Sequence, residues 1–143
     1  MAITTAMCNS FKQELLGGVH DLDTDTLKVA LIKASPTGTF DASTTNYSDL
    51  STDEASGTNY TAGGQALDSP VISLSGGTAF VDFADEVFSN LTISADGAII
   101  YNASQGNKAI AVFDFGGTVT STSGDFTIVF PTADASNAVI RIS

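Results

Sequence analysis

Residues 91–117 read LTISADGAIIYNASQGNKAIAVFDFGG. Two apolar runs, 98–101 and 109–115, flank a polar, Gly-containing connection at 102–108. Both are rich in β-branched and aromatic residues and bounded by turn residues, so both read as strands of one hairpin. The second run puts Ala109, Ala111, Phe113 and Phe115 on one face, with Ile110, Val112 and Asp114 on the other. A strand largely apolar on both faces belongs in the middle of a sheet. Gly116 and Gly117 are expected to end it.

Working outward, Thr26–Lys33 alternates as a strand, with Leu27, Val29 and Leu31 on one face. Residues 71–75 and 78–83 surround Gly76-Gly77, a two-residue hairpin signal. Residues 118–124 read as a polar turn, and 125–130 as a half-buried strand ended by Pro131. Residues 137–142 form a last strand. Near the start, Met7, Phe11 and Leu15 recur at helical spacing beside Leu16, predicting a helix over 4–18 capped by Thr4 or Thr5 and stopped by Gly17-Gly18. Its apolar stripe must dock on the sheet or on a neighbouring subunit. Seven or eight short antiparallel strands and one short helix predict a single all-β domain over 1–143, a jelly-roll-like β-sandwich.

Residues 34–70 resist this reading. They are rich in Ser, Thr, Asn, Asp and Gly, with isolated aromatics at Phe40, Tyr47 and Tyr60. Loops of this length are unusual without a task. Either short strands lie near 59–62 and 65–68, or the segment is an arm that orders against a partner with the aromatics as anchors. Phe11, Leu15, Phe40, Tyr47 and Tyr60 are therefore the expected interface residues. The 62–65 stretch, AGGQ, lacks the Gly-Lys-Ser/Thr of a phosphate loop and reads as a flexible turn.

Composition excludes several functions. Sixteen acidic residues against five basic ones give a formal net charge of −11. Nucleic-acid affinity and anionic-membrane affinity both come from clustered Lys and Arg, so neither partner is expected. Cys8 is the sole cysteine and reads as a small buried hydrophobe. No secretion signal and no apolar membrane span are read. Asp21, Asp23 and Asp25 imitate the start of a calcium loop, but Thr26 stands where its Gly and Ile32 where its Glu belong. They read as a solvated turn. Asp82, Asp85 and Glu86 read as surface charge. Calcium at a subunit boundary, through the Asp21 group or through Asp82 and Asp85, is the minor alternative. His20 has no recognisable nucleophile partner. No catalytic residue, metal site or cofactor is expected.

The segments GAIIY (97–101), KAIAVFDFG (108–116) and SGDFTIVF (123–130) resemble small virion structural proteins of tailed bacteriophages. So do the opening SFKQELLGGVH (10–20) and the strand KVALIK (28–33). The likeness is to capsid decoration, or cement, proteins, made in the host cytoplasm and carried on the virion surface. It implies a non-enzymatic protein that binds the major capsid protein and stabilises the head, commonly as a trimer. A tail or head–tail junction component is the alternative within the same particle. A carbohydrate- or host-surface-binding module is the alternative outside it, although the absence of Trp removes the usual stacking platform for sugars.

Overall fold

In a computed structural model, residues 3–134 and 136–143 are described. Eight strands form two antiparallel sheets. They are β1 (Ala6–Met7), β2 (Leu27–Lys33), β3 (Gln65–Ala66), β4 (Val71–Ser75), β5 (Thr78–Asp82), β6 (Glu86–Asn102), β7 (Lys108–Ile128) and β8 (Ile140–Ile142). The larger sheet runs β1-β7-β6-β2-β3 and the smaller β4-β5-β8. Among the described residues, one helix, α1 (Asn9–Leu16), and 3₁₀ segments at Tyr47–Asp53 and Ala103–Gln105 accompany the strands. The sheets share one hydrophobic core, and the fold is all-β and sandwich-like.

The hairpin predicted from 91–117 is the centre of the large sheet. Residues directly opposite one another share a face. Ala30, Ile99 and Val112 form one row across β2, β6 and β7, while Val29, Ile100 and Ala111 form the next. All six are buried, so both faces of the sheet are covered, as the two-sided apolar pattern requires. The turn is made by the 3₁₀ segment, where Ala103 N donates to Thr26 O (2.9 Å) and Ser104 N to Asn102 Oδ1 (3.0 Å), and by Gly106 at φ 67°. The Gly76-Gly77 hairpin also forms. Gly76 alone takes positive φ (60°), the pattern of a type II′ turn.

Gly116 and Gly117 do not end the second strand. Gly97 pairs with Asp114 and Ala95 with Val119, so 115–118 bulge opposite Asp96 alone. The Asp96 carboxylate holds the bulge, accepting from Thr118 Oγ1 (2.6 Å) and from Ser35 N (2.8 Å). Beyond it, 118–124 is strand and not turn, because Val119, Thr120 and Ser121 pair with Ala95, Ser94 and Ile93. A second irregularity carries Ser123 at φ 49°, its N–H donating to Thr92 Oγ1 (2.9 Å). Side-chain acceptors, invisible to a periodicity count, thus keep a Ser/Thr/Gly-rich segment in the ladder.

The N-terminal helix is shorter than its sequence pattern. Met7 lies in β1, Cys8 is the N-cap without a side-chain cap bond, and the helix ends at Leu16 before Gly18 at φ 71°. Cys8 N donates to Ile110 O (2.9 Å), which docks the helix start on β7.

Residues 34–70 fold back on their own sheet. Asn46 caps the 3₁₀ segment in a capping box with Asp49. The predicted strand at 65–68 exists as β3 over Gln65–Ala66, beside β2; none forms at 59–62. The glycine turn before β3 is bonded at Gly63, whose N–H donates to Glu54 Oε1 (2.6 Å) and whose carbonyl accepts from Tyr101 Oη (2.6 Å).

Candidate functional site

The polar clusters close on themselves. All three tyrosines of the chain converge around Glu54. Tyr47 Oη donates to Oε2 (2.5 Å), Tyr60 Oη donates to Oε1 (2.9 Å), and Tyr101 reaches the same turn through Gly63. Tyr60 Oη also accepts from Leu31 N (2.9 Å). Burial, reinforced by the Glu54 charge, pushes the Tyr101 hydroxyl up to about 12 and raises Tyr47 and Tyr60 as well. These phenols stay protonated and serve as donors.

His20 is buried in a second chain of bonds. Asn102 Nδ2 donates to Asp25 Oδ2 (2.8 Å) and faces His20 Nδ1 (3.0 Å), so Nδ1 accepts and Nε2–H donates to Glu14 Oε1 (3.0 Å). Among the described residues, no hydroxyl or thiol nucleophile bonds to the imidazole, and the network ties α1 to the β6–β7 turn. Asp21 closes its own turn, accepting from Asp23 N (3.1 Å), Thr24 N (3.2 Å) and Thr24 Oγ1 (2.8 Å). The Thr24 hydroxyl, then the two N–H donors, hold its carboxyl below the usual range. Among the described residues, no group of three or more His, Cys, Asp or Glu is placed to hold a metal ion.

Two buried carboxylates behave in opposite ways. Burial pushes Asp53 up, but donors from Thr37, Lys33 and Gly38 outweigh it and hold the group well below the ordinary carboxylate range. Lys33 Nζ stands 2.9 Å from its Oδ1. Glu86 is raised by burial and by the charge of Asp68. With its amide nitrogen facing β6, Gln65 donates to the Glu86 carboxylate and to Val87 O (3.0 Å). Glu86 is thus a core group and not surface charge, whereas Asp85 is exposed and accepts from Phe130 N (2.9 Å). Cys8 is fully buried, and desolvation pushes its thiol up to about 12, which makes it unreactive.

Of the expected interface residues, Phe11 and Phe40 turn inward, while Leu15, Tyr47 and Tyr60 keep part of their surface. Phe11 and Phe40 are buried in this chain's own core, Phe11 with its ring centroid 5.0 Å from that of His20. Tyr47 stacks on Tyr101, Tyr60 lies against Phe88, and Leu15 is half-buried. Tyr47 and Tyr60 of the long loop thus pack on rings of this chain. Phe11 and Phe40 therefore offer a partner no surface in this conformation.

The open apolar surface lies on the small sheet. Across it, Ile72, Val81 and Ile140 form one row, and Leu74, Ala79 and Ile142 the next. Val81 and Ile140 are buried. Ile72, Leu74 and Ile142 are 55%, 72% and 53% exposed, so the same face runs from the core out into solvent. Leu22 stands across a 70 Å³ apolar recess from these rows. β4 is an edge strand without a charged side chain, so the usual protection against pairing with another chain is missing. The signal was present in the sequence: VISLS beside Gly-Gly places Ile72 and Leu74 on one face with no charge between them. At the helix end, Leu16 is also exposed.

No family model matches the chain, and no curated protein or solved structure matches it.

Proposed function

We propose that this chain is a capsid decoration (cement) protein of a tailed bacteriophage, which binds the major capsid protein on the outer shell and stabilises the head. The observation that carries the reading is the apolar face of the small sheet, Ile72, Leu74 and Ile142, left open on a chain of net charge −11. An acidic surface favours solubility and discourages non-specific association. An uncharged apolar edge gives them one place to attach. Each contact is modest, and many copies on a repeating lattice gain strength through avidity. The saturated polar clusters fit the same role, since a cement subunit needs rigidity and no reacting group. The copies assemble as a homo-oligomer, a trimer by the resemblance of the sequence. Immunogold labelling of virions with antibody to this chain tests the reading. Label over the whole head supports it. Label at one vertex or along the tail would make the chain a junction or tail component, and unlabelled particles would overturn the proposal.

A further inference from the structure

The outer edge of β7 is open over most of its length. On that side β1 pairs with Ala111 and Val112, and Asn46 bridges Lys108 while Thr45 O accepts from Ala109 N. Over 119–128, β7 is bonded to β6 on one side and has no strand on the other. Edge strands are commonly protected by Lys, Pro or bulges; this stretch has neither Lys nor Pro, and its irregularity lies between Ser121 and Phe126, around Ser123. Beside the edge lies a cleft of about 390 Å³, lined on its apolar side by Phe115, Val119, Phe126 and Ile128. Its polar side includes Asp125. The surrounding charge has one sign: residues 86–107 and 109–140 contain no Lys or Arg, while Asp114 and Asp125 are exposed on β7 and Asp96 is half-buried beside it.

We propose that the β7 edge over 119–128 docks an extended, cationic segment of another polypeptide. Such a segment adds a strand to the sheet, and its main chain satisfies the unpaired N–H and C=O groups of β7. Side chains alternate along a strand, so one face places an apolar residue in the Phe115–Phe126 cleft while Lys or Arg meets Asp125. A second copy of this chain is the poorer occupant of this edge, because edge-to-edge pairing would bring Asp125 and its acidic neighbours against their own counterparts. The site is separate from the β4 patch and does not depend on which particle the chain belongs to.

The test titrates the full ¹⁵N-labelled chain with an acetylated, amidated peptide, Lys-Val-Lys-Phe-Lys-Val-Lys-Thr-Lys. Saturable shifts centred on the amides of 115–129 are expected. Val119→Lys, at an exposed position, should weaken binding at least tenfold, Thr122→Glu should tighten it about two- to threefold, and Leu74→Lys on the other edge should leave it unchanged. Unbound spectra of the variants check that they fold. A peptide N-methylated at alternate residues, on the edge facing β7, should bind at least tenfold more weakly. Shifts centred elsewhere, equal binding of the Glu-for-Lys peptide, or indifference to N-methylation would overturn the proposal. So would concentration-dependent shifts of the same amides without peptide, which would name a second copy as the occupant.

Discussion

The ring of Tyr47 lies on that of Tyr101, with centroids 4.6 Å apart and planes 20° from parallel. Tyr101 belongs to the central hairpin and Tyr47 to the long polar segment, so this stack fixes the segment to its own sheet. Glu54 completes the clamp by accepting from Tyr47, Tyr60 and Gly63 N. Glu54→Ala leaves three donors without their acceptor and is expected to cost about 2–3 kcal/mol, since bonds to a charged group are the stronger kind. Urea denaturation measures it.

Gly64 and Gly76 both have positive φ, at 75° and 60°, but differ in surroundings. A Cβ on Gly64 would fall 1.7 Å from Val29 O, while one on Gly76 would meet nothing within 4 Å. Gly76→Ala therefore costs only the left-handed conformation, about 1–2 kcal/mol. Gly64→Ala must also push β2 away from the turn, and is expected to cost more than about 4 kcal/mol. Thermal melts of the two variants side by side give the comparison.

Asp53 has a depressed pKa in the folded chain. Its contribution is therefore present above the ordinary Asp value of 3.8 and is lost as pH falls through the depressed folded value. Asp53→Asn removes the charge that faces Lys33 and the N–H groups of Thr37 and Gly38. The expected loss is about 2–3 kcal/mol at neutral pH. Stability measured from pH 7 to pH 2 should show the gap narrowing once pH drops below 3.8.

Glu86 is shifted the other way. Its folded pKa is raised, so it favours the fold most below the ordinary Glu value of 4.5, and that contribution is lost as pH rises through the folded value. Glu86→Gln keeps an acceptor for Gln65 without the buried charge. The variant is expected to be more stable than the wild type at pH 7, with the difference vanishing below pH 4.5. Chemical denaturation at the two pH values checks the sign.

What the sequence disclosed was local. β2, the Gly76-Gly77 hairpin and the core of β6–β7 were legible because a period of two needs only neighbours to be recognised. The segment 34–70 was not, because its anchors are distant: Tyr60 Oη on Leu31 N, Tyr47 on Tyr101, Gly64 against Val29 O. Residues 118–124 have the composition of a turn, and only Asp96 and Thr92 reveal why they stay extended. The expected interface aromatics were recognised as anchors, but which surface they anchor to was not written in their spacing. The open face at Ile72 and Leu74 followed from an uncharged edge strand, a signal that stood apart from the aromatic residues.

Binding to phage heads lacking this chain tests the central claim most directly. Purified chain is mixed with such heads and sedimented, alongside the double variant Ile72→Ser, Leu74→Ser, whose substitutions lie at exposed positions. Saturable co-sedimentation of the wild type at many copies per head, with binding at least tenfold weaker for the variant and an unchanged melting temperature, is the predicted result. Wild-type chain that stays in the supernatant at every concentration would contradict it.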